Sequence, residues 1–231
     1  MSHKKNQPPV LFAPERKFFS DPRQAPEDGL VAMADRLGVE TLLEAYSFGI
    51  FPWPHDLMPV LWFSPDPRGV LDFKDFKINR TTQKFLNKTS FHVSFNKAFG
   101  EVIRGCSSVP RPGQDGTWIN SDIIKAYERF YEAGYVHSIE CWDGKELVGG
   151  MYGVYVAGVF AGESMFFKKD NASKFCFIHL VKKLKEQGHT WMDVQMVTEN
   201  VEQLGGKYIS REEYLARIED SKKKAQPIHW D

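Results

Sequence analysis

The chain reads as an α+β protein, a small N-terminal domain followed by a larger one whose mostly antiparallel sheet is flanked by helices. Three observations predict this. "HSIECW", "ELVGGMYGVYV" and "GVFAGESMF" are successive strand segments joined only by Asp143-Gly144 and Ala157-Gly158, both hairpin signals. Helical periodicity brackets them, in "TWINSDIIKAYERFYEAG" before and "NASKFCFIHLVKKLKEQG" after. A Ser-Pro-Asp-Pro turn inside "PVLWFSPDPRGVLDF" then marks a boundary, with residues 1–66 as the N-terminal domain and 67–231 as the main one.

The elements follow in order. The first thirty residues, rich in Pro and charge, read as an extended arm. Thr41 to Tyr46 is helical and stops near Gly49, because glycine tolerates the left-handed conformation that ends helices. Pro52 and Pro54 bracket Trp53 in a rigid turn. "PVLWFSPDPRGVLDF" is strand, turn, strand. "NRTTQKFLNK" is a helix with Asn79 as N-cap, "FHVSFN" a strand, and "KAFGEVIRGCS" a helix ending at Gly105. "SSVPRPGQDG" is a loop. The next helix is capped near Ser121 or Asp122 and closed by Gly134. After the three strands and the long amphipathic helix come the strand "TWMDVQMV" and a last helix, "SREEYLARIEDSKKK". Its Ser210 and Glu213 have capping-box spacing.

Composition excludes several classes. Lys plus Arg and Asp plus Glu are both 30 among 231 residues, so net charge does not point to nucleic acid. The N-terminus lacks the apolar core of a secretory signal, and no apolar run is long enough to span a bilayer. Cys106, Cys141 and Cys176 are odd in number and widely spaced, which fits a reducing compartment; the protein is expected in the cytoplasm. The seven His form no metal-ligand spacing, so no metal is expected.

Three features can carry chemistry. In "WMDVQMV", alternation puts Trp191, Asp193, Gln195 and Val197 on one face and Met192, Val194 and Met196 on an apolar core face. A carboxylate and an amide two residues apart can orient and deprotonate an amine; an exposed sheet face explains them equally. Glu163, set in the apolar "VFAGESMF", either pairs with a buried cation such as Lys174 or Arg80 or faces a cavity. Trp53 and Trp118, beside Gly and Pro, are core plugs or platforms for a nucleobase. The basic runs Lys74 to Lys84, Lys168-Lys169 and Lys182-Lys183-Lys185 are either solvated faces or a nucleic-acid surface.

Together, "AYSFGIFPWP", "LWFSPDPRGVL", "AFGEVIRGC", "GTWI", "AYERFYEAGYVHSIE", "ELVGGMYGV", "FAGESMF", "NASK" and "MDVQ", in this order over about residues 30 to 210, resemble the leucyl/phenylalanyl-tRNA–protein transferases. The resemblance implies a small N-terminal domain and a larger one similar to the acyl-CoA N-acyltransferase fold. It implies transfer of Leu or Phe, with Met as a further donor, from tRNA to proteins or peptides with N-terminal Arg or Lys, creating an N-degron. By the same resemblance Asp193, Gln195 and Glu163 are catalytic, and Trp53, Trp118, Tyr46 and Tyr127 hold the aminoacyl-adenosine end. Met151, Phe160 and Phe177 then wall the amino-acid side-chain pocket. Lys182, Lys183 and Lys185 are the basic segment assigned to tRNA. The chain departs from the family pattern at "SMFF", at Val194, and at Phe175 and Phe177, whose bulk bears on donor preference.

The chemistry fits what the sequence lacks. An aminoacyl ester is already activated, so aminolysis needs a neutral, well-placed amine and no cofactor. An α-amino group titrates near pH ~8, and a carboxylate acting through an amide can complete its deprotonation. The expected protein is a monomer that meets no membrane. Two alternatives remain at this point. An acyl-CoA-dependent N-acyltransferase would carry a pyrophosphate-binding loop that "QLGGKY" does not match. A non-catalytic tRNA- or peptide-binding module would not be expected to keep both Asp193 and Glu163.

Overall fold

The computed structural model of the chain describes residues 11–53, 59–109 and 118–230; Pro54 and most of the loop before Trp118 lie outside them. Residues 11–29 form an arm with one 3-10 turn at Pro22–Gln24. The buried Glu44 carboxylate fastens the arm, accepting the Phe18 and Phe19 N–H groups at 2.8 and 3.0 Å. Strands β1 (Leu30–Met33), β2 (Phe51–Trp53) and β3 (Leu61–Phe63) form a sheet in the order β1-β3-β2, with helix α1 (Val39–Ser47) between β1 and β2. The proline pattern predicted a turn where β2 lies. Pro52 is tolerated there because β2 is an edge strand, where a missing N–H breaks no inner ladder.

The remaining elements are β4 (Arg68–Asp72), α2 (Arg80–Leu86), β5 (His92–Phe95), α3 (Phe99–Ser107), α4 (Ser121–Glu132), β6 (Val136–Asp143), β7 (Glu146–Val156), β8 (Val159–Phe167), α5 (Ala172–Glu186), β9 (Trp191–Gln195), α6 (Glu199–Gln203), β10 (Lys207–Ile209) and α7 (Arg211–Lys222). Seven strands form one sheet in the order β10-β4-β9-β8-β7-β6-β5. Every neighbouring pair is antiparallel except β8 and β9, which run parallel because α5 carries the chain back across the sheet. The α+β expectation is borne out.

Local differences have local causes. The cap of α4 is Asn120, whose Oδ1 accepts the N–H groups of Asp122 and Ile123, one residue before the nearer predicted cap, Ser121. Helix α3 continues past Gly105 to Ser107; there glycine serves packing, since a Cβ would lie 2.8 Å from the Phe166 ring. Strand β9 stops at Gln195, so Met196 is 46% exposed and does not continue the apolar face that alternation predicted.

Apolar side chains fill both faces of the large sheet. One face packs Val70, Tyr152, Val154, Ala161 and Trp191 against α1, α3, α4, α7 and Trp62 of the small sheet. The other packs Leu71, Met151, Phe160 and Met192 against Phe177, Leu180 and Val181 of α5. The two sheets therefore share one core on the first face, which brings α1 and α7 up to the middle of the large sheet.

Gly49 shows how tightly these helices meet. Its φ is +74°, and a Cβ there would lie 2.7 Å from Tyr214 and 2.9 Å from Leu215 of α7. Gly188 has a similar φ of +84° with nothing near its missing Cβ. Gly188→Ala should therefore show the backbone strain alone, ~1–3 kcal/mol, and Gly49→Ala should lose more through the added clash. Urea midpoints of the two variants check this; equal losses would mean that α1 and α7 move apart freely.

Candidate active site

Strands β8 and β9 are partnered at one position, Ala161 with Asp193, and past it they diverge. Each carries a bulge where they part. On β8, Gly153 pairs with Gly162 and Tyr152 with Ser164, which leaves Glu163 as the extra residue. A bulge re-aims a side chain. Here Glu163 keeps the face of Ala161, and the extra residue swaps the faces beyond it, so that Met165 pairs with Met151 of the opposite core. The carboxylate that looked misplaced in an apolar strand is thus displaced from the strand's regular pairing and half-buried at the split.

On β9 the register shifts between Gly69 and Val70, leaving Val194 unpaired. Gln195 has φ +60°, and the Met196 N–H returns to the Val194 carbonyl at 2.6 Å, a γ-turn. Such turns at a non-glycine residue are rare and strained. Gly69 lies under the bend, where a Cβ would meet Gln195 O and Met196 backbone atoms at 3.0 Å.

A continuous set of hydrogen bonds joins the two bulges. Gln195 Nε2 donates to Glu163 Oε1 at 2.9 Å, and the Tyr127 hydroxyl donates to Glu163 Oε2 at 3.2 Å. The Tyr46 and Tyr127 hydroxyls are 2.5 Å apart, so Tyr46 donates to Tyr127 in turn. Asp193 Oδ1 accepts Arg68 Nε–H at 3.0 Å and the Gln195 N–H at 2.9 Å. Its Oδ2 accepts Arg68 Nη2–H at 2.7 Å and the Tyr214 hydroxyl at 2.8 Å. A carboxylate has about four acceptor sites, and those of Asp193 are filled. Arg68 and Asp193 are each 1% exposed.

The two carboxylates therefore have different surroundings. Asp193, expected to assist deprotonation of the amine, is buried with all its acceptor sites filled. Glu163 has capacity left. Burial lifts its carboxyl to about 7 and the Asp193 charge adds to the lift, opposed by the tyrosine hydroxyls and the Arg68 charge. Burial also pushes up the hydroxyls of Tyr46, Tyr127 and Tyr214, keeping them protonated as donors. Burial works against the Arg68 charge, but Asp193 more than compensates, so the guanidinium stays charged.

The other sequence-derived residues fall around this centre unevenly. Tyr46 and Tyr127 belong to the core cluster on its face, and Trp53 and Trp118 pack against that cluster half-buried. Trp53 stands edge-on to Phe63 at 6.5 Å. Met151 and Phe160 are each 1% exposed in the core on the opposite face. Phe177 is on that face too, and lines a cavity of about 280 Å³ with Met165, Phe167, Lys174, Val201 and Leu204. Lys182 and Lys185 are exposed on the last turns of α5, and Lys183 sits over the Phe95 ring at 5.7 Å. Neither Lys174 nor Arg80 is the hydrogen-bond partner of Glu163; Gln195 and Tyr127 are. Arg68 and Tyr214 were missed. The available signal was an arginine opening the apolar run "RGVLDF", a place where a charge needs a partner.

Among the described residues no group of three or more His, Cys, Asp and Glu side chains is placed to hold a metal, and no helix is long and apolar enough to cross a membrane.

The sequence model of the family described as leucyl/phenylalanyl-tRNA protein transferase matches residues 70–219, and the model of its N-terminal domain matches residues 35–66. A relative from Christiangramia forsetii, named leucyl/phenylalanyl-tRNA–protein transferase, is 48% identical over 208 residues, 89% of this chain and 98% of its own. One of the same name from Chromobacterium violaceum is 42% identical over 225 residues, 97% and 94% of the two chains. Another, from Flavobacterium johnsoniae, is 43% identical over 199 residues, 86% and 94%. With both halves of the chain matched, it belongs to the leucyl/phenylalanyl-tRNA–protein transferase family of aminoacyltransferases.

Proposed function

We propose that the protein transfers Leu, Phe or Met from its tRNA to the α-amine of polypeptides that begin with Arg or Lys, with Glu163 as the proton acceptor. One observation carries the reading of the site: a half-buried carboxyl tuned to about 7 lies 2.9 Å from the Gln195 amide, at the split between β8 and β9. The incoming amine hydrogen-bonds to the amide oxygen of Gln195 and attacks the ester carbonyl. A C–N bond forms and the C–O bond to the ribose breaks. Glu163 takes the amine's proton and returns it to the departing hydroxyl, so no net proton is lost. Trp53 and Trp118 stack on the terminal adenosine, and Tyr46 and Tyr127 hold Glu163 in place. The buried cysteines, none of them in a disulfide, suit the cytoplasm, where charged tRNA is available, and the chain acts as a monomer.

The pH dependence tests Glu163. Transfer should rise as pH passes about 7, where the carboxyl ionises, and again toward the amine's ~8. Glu163→Gln should cost a factor of ~10² to 10⁴ and remove the lower inflection, leaving only that of the amine. The same shift affects stability with a definite sign. Because the folded carboxyl is raised from 4.5 to about 7, ionising it opposes folding, and stability falls as pH climbs through that window. Glu163→Gln should lack that fall, giving a higher unfolding midpoint than wild type at pH 8. A variant with wild-type rate and profile would remove Glu163 from the chemistry.

The donor's side chain enters the cavity beside Phe177, on the core face that Met151 and Phe160 share. β-Branched donors place bulk at the narrow entrance, and Ile- and Val-tRNA should lag Leu-tRNA by roughly 10- to 200-fold. Phe177→Leu enlarges the cavity and should move competition between Leu- and Phe-tRNA toward Phe. An unchanged ratio would place donor selection elsewhere.

Lys182, Lys183 and Lys185 give the tRNA body a basic face on α5. Reversing all three charges should weaken binding and flatten its salt dependence by about 0.7 to 0.9 in log–log slope per lost phosphate contact. Unchanged affinity and slope would show that this face is only solvated.

A further inference from the structure

Arg68 lies outside the reaction as drawn, yet no described polar side chain is more completely engaged. It donates to both oxygens of Asp193, at 3.0 and 2.7 Å, to the Gly49 carbonyl at 3.1 Å and to the Tyr214 hydroxyl at 3.1 Å. Its guanidinium is sandwiched by the rings of Phe51 and Tyr214, 4.7 and 4.3 Å from their centroids. It thus gathers the connection after α1, and β2, β4, β9 and α7, at one point. The point lies two short links from Glu163. Asp193 Oδ1 holds the Gln195 N–H, closing the bend at φ +60°, and the side chain carried by that bend holds Glu163 Oε1.

We propose that Arg68, seconded by Tyr214, is a positioning residue for acyl transfer: it immobilises the Asp193 carboxylate, which clamps the Gln195 bend and so sets the amide against Glu163. A strained bend persists only where its surroundings over-determine it. A carboxylate free to rotate would release the Gln195 N–H and let the backbone relax toward the ordinary extended form, swinging the amide away. Planarity is part of the device. A guanidinium grips both carboxylate oxygens at once, and a lysine ammonium cannot.

The inference rests on the reading of Glu163 as proton acceptor, and the experiment separates the two. Arg68→Lys keeps the charge and loses the bidentate grip. It should lower kcat on the order of 10²-fold, the scale of a small misplacement of reacting groups, with KM for an Arg-initiated peptide and Kd for tRNA little changed. The lower inflection of its pH profile should move upward, because Glu163 loses the donor that stabilises its anion. Tyr214→Phe removes one hydroxyl and serves if Arg68→Lys lowers the folded fraction; its kcat should fall on the order of tenfold. Val181→Ala, in the α5 core, supplies a destabilised control with normal kcat per folded molecule. The deciding measurement is the double variant. If Arg68 acts through Glu163, Arg68→Lys adds little to the loss already caused by Glu163→Gln. Full multiplication of the two losses, or a wild-type kcat and pH profile in folded Arg68→Lys and Tyr214→Phe, overturns the proposal. A normal rate in Glu163→Gln alone would instead overturn the reading of the proton acceptor.

Discussion

The buried pair of Arg68 and Asp193 is the constraint around which the rest of the molecule is arranged. Both side chains are almost wholly withdrawn from water, where an unpaired charge would be very costly. The cost is met by saturation: every oxygen site on Asp193 is filled, and the guanidinium reaches a carbonyl and two aromatic faces besides. Such a pair adds little stability compared with well-packed apolar residues, whereas losing either partner strands a charge. It therefore selects a geometry. Phe51 and Gly49 from the N-terminal segment and Tyr214 from α7 must all be in place for Arg68 to be satisfied, so closing the core and shaping the site are one event.

From this anchor the two bulges acquire a common purpose. A regular strand would have paired Glu163 with Tyr152 of β7. The extra residue frees it at the split. A regular β9 would have carried Gln195 straight on, away from Glu163. The γ-turn carries it across. Strain on one strand and irregular pairing on the other bring a carboxylate and an amide to 2.9 Å, and the low polarity around them lifts that carboxyl to about 7. A carboxyl raised to near neutrality in this way costs stability whenever it is ionised.

Much of this was legible in the residues. The hairpin signals at Asp143-Gly144 and Ala157-Gly158 located the three central strands, because positive φ at a tight turn is a local requirement met by few residues. Asn79 and Ser210 were readable as caps for the same reason, each bonding N–H groups within its own turn. Glu163 stood out as a charge in an apolar run, and Asp193 and Gln195 as a polar pair on one side of a strand. The strands β1, β2 and β10 were not legible. They are three or four residues long and are strands only because a distant partner lies alongside.

What the sequence alone determined was therefore local or collective: the α+β class, the main strands and helices, and the order of motifs that marks the family. Tertiary structure alone decided which carboxylate is saturated and which keeps acceptor capacity. Residues 163 and 193 look alike on paper, each an acid among apolar neighbours. Their difference comes from Arg68 and Tyr214, which lie 125 and 21 positions from Asp193 and reach one carboxylate and not the other. Alternation likewise could not foresee the bulges, which break the period after Glu163 and at Val194. A pKa is set by whatever surrounds a group in space. Those surroundings exist only once the chain has closed on itself.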